Sequence, residues 1–290
     1  MMESKEAVLR LALPKGSIEK GVLQLLEDAG ISVRCSSRGY RPQLSLPGCE
    51  AKLLRPPNIV EMLQAGSRDV GFTGADWVAE LGAELEELLD CELDPVRIVA
   101  AAPAGLVESG EILNRPIVVA TEYINLTRRW IEKRGIRATV IRSYGATEVF
   151  PPEDADCIVD NTATGSTLRA NGLVEFDQLM ASTTRLYASP AALGDPSKRA
   201  AIDRLVLLLG SVLESRRRVM VEVNVPAKKL EGIISILPCM RQPTVAPLAG
   251  GEGYAVKAAV PRGELVRLIP LVKDMGGQDI VVSNLAQLVP

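Results

Sequence analysis

Between Cys157 and Leu173 a short apolar run ends on an aspartate, and hydroxyl residues and a glycine follow at once: Asp160, Asn161, Thr162, Ala163, Thr164, Gly165, Ser166 and Thr167. A buried strand entering a turn and then a helix has this pattern. Backbone N–H groups at such a turn converge on an anion, and the helix dipole adds attraction. Gly165 lets the backbone approach closely. Thr164, Ser166 and Thr167 supply hydroxyl donors, and Asp160 stands where it can accept hydrogen bonds from ribose hydroxyls. A threonine-rich capping turn would use the same residues without a ligand. The segment is not a Walker loop, because the Gly-Lys-Ser/Thr ending is missing. A second turn of this kind, Pro14-Lys15-Gly16-Ser17, carries a cation that either meets phosphate or is an exposed loop lysine.

What the chain lacks narrows the chemistry. It has no histidine, which removes imidazole ligands, His-activated nucleophiles and His general bases. A divalent metal would be held through oxygen, which favours magnesium. The five cysteines, Cys35, Cys49, Cys91, Cys157 and Cys239, are scattered, with no C-x-x-C. Reduced thiols fit better than a disulfide framework or a structural zinc. Net charge is −3 and aromatics are 3%, without the basic, stacking face of a nucleic-acid binder. Arg216, Arg217 and Arg218 read as a solvated linker or a helix end. Met1 to Ala7 is polar and has no apolar targeting segment. Leu205 to Leu213, the longest strongly apolar stretch, is too short to cross a bilayer. A cytoplasmic protein with no membrane partner is the expectation.

The elements that must position these residues follow an α/β grammar. Leu9, Leu11 and Leu13 alternate as a strand; Ile18, Val22, Leu25, Leu26 and Ala29 then take helical spacing up to Gly30, with Ser17 as N-cap. Asp69 to Gly74 reads as a strand running into a turn, with a helix from Ala75. Ile117–Ala120 is a strand, Thr121–Arg134 a helix, and Thr139–Arg142 and Asp156–Asp160 further strands. Val96 to Pro103 crosses to a second lobe, and the chain returns near Thr184 to Ala188. Alternating strands and helices imply mainly parallel sheets. At 290 residues, and roughly 100–200 per domain, two or three domains are expected. The last 75 or so residues run strand (Val219–Val225), helix (Pro226–Leu237), strand (Pro243–Leu248), strand (Tyr254–Val260), helix (Pro261–Met275), strand (Ile280–Ser283), which is the ferredoxin-like order.

An acidic residue followed closely by Thr-Gly-x-Thr resembles the phosphoribosyl-pyrophosphate loop of phosphoribosyltransferases. The wider chain resembles the long form of the ATP phosphoribosyltransferase family. The matching segments lie in order: Leu11 to Gly16, Asp69 to Trp77, Ala120 to Arg128, Gly145-Ala146-Thr147-Glu148, Asp160 to Leu173, and in the tail Asn224-Val225-Pro226 and Arg241 to Leu248. The resemblance implies a two-lobed, periplasmic-binding-protein-like α/β catalytic part and a C-terminal ferredoxin-like (ACT-like) regulatory domain. Residues 1–100 with 184–215 would form lobe I, 101–183 lobe II, and 216–290 the regulatory domain.

The implied reaction is attack by N1 of ATP on C1 of phosphoribosyl pyrophosphate, the first step of histidine biosynthesis, with magnesium as cofactor, feedback inhibition by histidine, and dimers assembling into hexamers. Thr162, Ala163, Thr164, Gly165, Ser166 and Thr167 would hold the ribose 5-phosphate and Asp160 the ribose hydroxyls. Glu148 would face ribose or magnesium. Lys15, Gly16, Arg55, Gly74 and Asp76 would meet pyrophosphate or nucleotide, with Asp160, Glu148 and Lys15 carrying catalysis. Asn224, Met240 and Thr244 would receive histidine. Three positions depart from the family pattern: Ser17 stands for its arginine, Asn58-Ile59-Val60 for Asp-Ile-Pro, and Glu122 for its lysine. The changes at Ser17 and Glu122 remove two positive charges near the expected polyphosphate site. They leave open weaker binding, a phosphoribosyl transfer to another base, or a ligand-binding or amino-acid-sensing paralogue.

Overall fold

The computed structural model describes residues 8–35, 39–108, 110–113 and 115–290. The polar start read from Met1 to Ala7 lies outside the described residues. The chain divides into two compact units, Met1–Gln24 with Ser32–Ile202, and Leu25–Ile31 with Asp203–Pro290.

In chain order the elements are β1 (Leu9–Pro14), α1 (Glu19–Asp28), β2 (Val33–Arg34), β3 (Gln43–Leu44), β4 (Cys49–Leu54), α2 (Pro56–Gln64), β5 (Val70–Gly74), α3 (Ala75–Leu81) and β6 (Glu86–Pro103). Then come β7 (Val107–Glu108), β8 (Glu111–Ile112), β9 (Ile117–Thr121), α4 (Ile124–Arg134), β10 (Ala138–Arg142), β11 (Cys157–Thr162), α5 (Ser166–Ala170), β12 (Leu173–Ala188), α6 (Pro190–Leu193) and α7 (Pro196–Arg217). One eight-stranded sheet, in the order β10-β9-β11-β6-β12-β5-β1-β4, runs through the first unit. The β4-β1-β5 and β10-β9-β11 groups are each parallel. They are the cores of the two lobes.

Between the two groups, β6 and β12 pair antiparallel to each other and to their outer neighbours. Their ladder is interrupted by register shifts, including those at Ser182/Thr184 and Thr184/Arg185. Glu92 and Asp94 take left-handed φ values of 54° and 48° there. The crossing segments read as short strands at Val96 and Thr184 are thus the ends of strands 18 and 16 residues long. Helices cover both faces, which is why β5 and most of β1 and β11 are buried without alternation. Ile98, Val119 and Val159 pack one face of lobe II; Val99, Ala120 and Ile158 pack the other.

The tail folds as β13 (Arg218–Pro226), α8 (Leu230–Ile236), β14 (Thr244–Pro247), β15 (Gly253–Pro261), α9 (Leu265–Asp274) and β16 (Gln278–Asn284), with sheet order β14-β15-β13-β16. Every pairing is antiparallel, as the ferredoxin-like order requires. Val219, Val221, Val223 and Val225 all face inward against Ile233, Leu268 and Val272. Period two in the sequence has become one buried face of a strand.

Helix starts shift from the sequence reading for local reasons. Thr121 completes β9, and its hydroxyl accepts the Tyr123 N–H at 2.8 Å, so α4 begins at Ile124. In the tail each strand runs through its proline, and a single 3-10 turn intervenes before α8 and α9. Among the described residues no helix is long and apolar enough to cross a membrane.

Candidate active site

The turn after β11 closes on itself through its own hydroxyls. The Gly165 N–H donates to Thr162 Oγ1 at 2.9 Å, and the Thr164 hydroxyl donates to Ser166 Oγ at 3.0 Å. Arg169 braces the turn by donating to the Thr164 carbonyl at 3.0 Å. Gly165 has φ +71°, and a Cβ there would come within 2.7 Å of Glu175 Oε1 and 2.8 Å of Arg169 Nη1. Glu175 is in turn held by both guanidinium nitrogens of Arg97, at 2.6 and 3.0 Å. The left-handed backbone is what favours glycine here, and a Cβ would also push the Glu175 and Arg169 side-chain tips aside.

This turn forms one wall of a cavity of about 600 Å³, lined by residues 160–168 together with Glu148, Ser17, Ile18 and residues 94–96. Asp160, Thr162 to Thr167 and Glu148 are thus brought together. The sequence reading missed the participation of Asp94, Pro95 and Val96, because β6 reaches this point only through long-range pairing. Helix α1 begins at Glu19, two residues beyond the cap expected at Ser17, and Ser17 lies at the cavity wall.

Asp160 sits among carboxylates. Burial pushes its carboxyl up to about 6, and Glu122 and Glu148 push the same way. The backbone N–H of Asn161 and the Thr147 hydroxyl oppose the rise by donating to it. Ser143 lies 2.8 Å from Thr147 Oγ1 and donates to it while Thr147 serves Asp160. The departure at Glu122 therefore adds negative charge directly to the environment of Asp160.

Lys15 and Arg55 meet in a neighbouring concavity of about 410 Å³, with Tyr40, Lys52 and Asn58. The Lys15 ammonium lies 4.4 Å from the Tyr40 ring centroid, a cation–π contact. Tyr40 and Lys52 were not singled out from sequence, since an isolated tyrosine or lysine carries no motif. Gly16 has φ +112°, and its N–H donates to Glu19 Oε2 at 3.3 Å.

Asp76 and Gly74 are buried and line neither of these two cavities. Asp76 is only 5% exposed. Its Oδ1 accepts the Ser182 hydroxyl at 2.6 Å and its Oδ2 accepts the Tyr123 hydroxyl at 2.7 Å. Gly74 is a glycine because the Asp76 carboxylate fills the space of a Cβ.

In the tail unit, Asn224 donates to Asp279 Oδ2 at 2.9 Å. Asn224 pairs with Ala255 and Thr244 with Lys257, so both side chains project from the same sheet face, with β15 between them. Met240 is 36% exposed in the loop before β14.

Among the described residues no three Cys, Asp or Glu side chains converge on one point. A magnesium ion nevertheless fits the donor set, because Asp160 and Glu148 supply hard oxygens at the cavity wall. Magnesium commonly takes one or two protein carboxylates and completes its shell with phosphate oxygens and water.

Known proteins are similar to this chain in sequence and fold. The family model described as ATP phosphoribosyltransferase matches residues 55–211, and the one described as the HisG C-terminal domain matches residues 215–287. A curated ATP phosphoribosyltransferase from Chlorobium phaeovibrioides is 36% identical over 302 residues, covering 99% of this chain and 100% of its own. One from Chlorobium luteolum is 37% identical over 297 residues, with 99% and 100% covered. One from Pelotomaculum thermopropionicum is 36% identical over 288 residues, with 97% and 99% covered. The solved ATP phosphoribosyl transferase (HisG:HisZ) complex from Thermotoga maritima superposes with a TM-score of 0.63 at 28% identity, over 71% of this chain and 98% of its own. Full-length identity above 35% to such relatives, on a fold that assembles the loop, Glu148 and the β6 segment into one cavity, makes this chain a member of the ATP phosphoribosyltransferase family.

Proposed function

We propose that the chain transfers phosphoribosyl from phosphoribosyl pyrophosphate to N1 of ATP, and that the cavity beneath the 160–168 turn is where the transfer occurs. The observation that carries this reading is the convergence of Asp160, the Thr162–Thr167 turn and Glu148 on one concave surface. The turn's N–H and hydroxyl groups hold the ribose 5-phosphate, and Asp160 orients the ribose hydroxyls. Lys15 and Arg55, with Gly16, take the pyrophosphate or the nucleotide's phosphates.

Adenine N1 has a lone pair, so attack on C1 needs no deprotonating base. The C1–O bond to pyrophosphate breaks as the N1–C1 bond forms, with oxocarbenium character at C1 as in other glycosyl transfers. The side chains orient both partners, keep negative charge near the ribosyl centre and exclude competing water. Asp160 and Glu148 are the residues that would hold magnesium, which when bound neutralises charge on the departing pyrophosphate.

The ferredoxin-like tail acts as the histidine sensor, with Asn224, Met240 and Thr244 as its contacts, in a cytoplasmic homo-oligomer of dimers assembling into hexamers. The β-α-β-β-α-β unit, distinct from the catalytic lobes and without a phosphate loop, supports that role. A pyrophosphate-release assay with both substrates and magnesium, with and without histidine, tests the reading. Phosphoribosyl-ATP as the product is the expected result. Release only with a different base, or binding without turnover, would replace it.

A further inference from the structure

A buried chain of hydrogen bonds links helix α3 to the cavity wall. Asp76 lies in the first turn of α3, and its two oxygens accept the hydroxyls of Ser182 on β12 and Tyr123 ahead of α4. Its backbone N–H donates back to Ser182 Oγ at 3.0 Å. The Tyr123 oxygen then accepts Asn161 Nδ2 at 3.1 Å, and the same amide nitrogen lies 3.3 Å from Asp160 Oδ1. Tyr123 is 1% exposed, and Trp77 stacks on its ring at 4.8 Å between centroids. Asn161, by contrast, is exposed at the cavity wall.

Each link has a fixed direction. A buried carboxylate is an acceptor only, so Tyr123 must donate to Asp76, which leaves the Tyr123 oxygen as an acceptor facing Asn161. That choice sets the Asn161 amide with its NH2 group toward Tyr123 and Asp160. Burial, with Asp76 beside it, holds the Tyr123 phenol well above the usual range, so it remains the donor at any working pH.

We propose that Tyr123 is a positioning residue for the phosphoribosyl donor: held by Asp76 and Ser182, its hydroxyl fixes Asn161, and through Asn161 the rotamer of Asp160 at the cavity wall. This rests on the proposed phosphoribosyl transfer and adds a specific mechanical role to Tyr123, Asp76 and Ser182, none of which lines the cavity. It also gives a role to an acidic residue buried at a helix start, whose two oxygens accept the Ser182 and Tyr123 hydroxyls.

The test is a double-mutant cycle of Tyr123→Phe and Asn161→Ala, read by steady-state kinetics and by calorimetric binding of phosphoribosyl pyrophosphate. Tyr123→Phe keeps the ring and its stack on Trp77. It should weaken phosphoribosyl pyrophosphate, in both KM and Kd, by about tenfold, the size of one net hydrogen bond. The KM for ATP should stay within about twofold, well inside that same scale. In the Asn161→Ala background the Tyr123 change should add almost nothing, because residues acting in series are not additive. Equal losses in both backgrounds, or equal losses for the two substrates, would overturn the proposal and leave Tyr123 a packing residue. Should Tyr123→Phe fail to fold, Ser182→Ala decides, because it loosens Asp76 from a position outside the cavity lining: a donor-selective loss supports the link, and unchanged phosphoribosyl pyrophosphate affinity ends it. A wild-type protein that binds no phosphoribosyl pyrophosphate would instead sink the functional reading itself.

Discussion

The carboxylate of Glu80, at the end of α3, accepts the backbone N–H of Asn125 at 2.9 Å in the first turn of α4, and that of Leu126 at 2.8 Å. Asn125 returns the contact by donating its side-chain amide to the Glu80 carbonyl at 2.9 Å. Glu80 is buried and supplies the negative charge that a helix N-terminus favours. Two helices from different lobes are thereby tied on one side of the sheet. Glu80→Ala would remove the acceptor of two part-buried backbone donors and should cost about 1–2 kcal/mol of stability, the scale of a lost helix cap. Glu80→Gln keeps one good acceptor and should cost about half of that. Chemical denaturation of both variants measures the difference; indistinguishable midpoints for wild type and Glu80→Ala would show that the cap contributes nothing.

Gly165→Ala combines a left-handed backbone with a Cβ directed at the Arg97–Glu175 pair and Arg169. It should reduce phosphoribosyl pyrophosphate affinity by at least about tenfold, on the scale of lost charge-assisted contacts. Gly165→Val should abolish binding within calorimetric range. Unchanged affinity in a folded Gly165→Val protein would remove the turn from the site.

Asp160, with its carboxyl raised to about 6, gives the reaction an acid limb. If the ionised form binds ribose, kcat/KM for phosphoribosyl pyrophosphate rises with pH through about 6, and Asp160→Asn flattens that limb. The stability effect has the opposite sign. A carboxyl that titrates higher in the native state holds more protons than in the unfolded chain, so its contribution to stability falls as pH rises from the ordinary carboxylate range toward about 6. A pH–rate profile and a pH series of unfolding midpoints, each on wild type and Asp160→Asn, check both directions.

Histidine should inhibit the full-length protein, and deletion after Glu214 should abolish the effect. Asn224→Ala or Thr244→Ala should raise the inhibitory concentration about tenfold, as expected for one lost polar contact, without a comparable change in substrate KM. Inhibition requires histidine to prefer one conformation or assembly, because tight binding to both alike shifts nothing. Inhibition of both point variants at the wild-type concentration would place the effector elsewhere.

The sequence made visible what is written locally. The Asp160–Thr167 turn combines a strand, its terminal carboxylate and its glycine within one short segment, and the valines of β13 announce a half-buried strand by alternation. The burial of Asp76 is not legible in sequence, because its local context, an acid at a helix start after a glycine, is the same whether it faces ligand or core. Its partner Ser182 stands 106 residues away, and no periodicity connects them. The full extents of β6 and β12 were hidden similarly, since their polar stretches contain Asp90, Glu92, Asp94 and Asp177 and are ordered by pairing rather than by pattern. Glu148 was legible only through its resemblance to a family segment, and Ser17 lost its expected capping role to a helix that starts two residues later.

Strand β12 is the missing neighbour of β5: Ala188 pairs with Val70 and Thr184 with Gly74, across more than a hundred residues of intervening chain. On the ribosome the first lobe therefore waits, one strand short, while the whole second lobe is synthesised. Contacts of such separation slow folding, and the apolar edge of β5 remains open to foreign strands in the meantime. A fragment ending after α3 has the sequence appearance of a domain but lacks the strand that seals it. A first lobe expressed alone should consequently need residues 184–188 rejoined to the N-terminal segment, and cutting the chain within β6 should yield two sticky halves rather than two proteins.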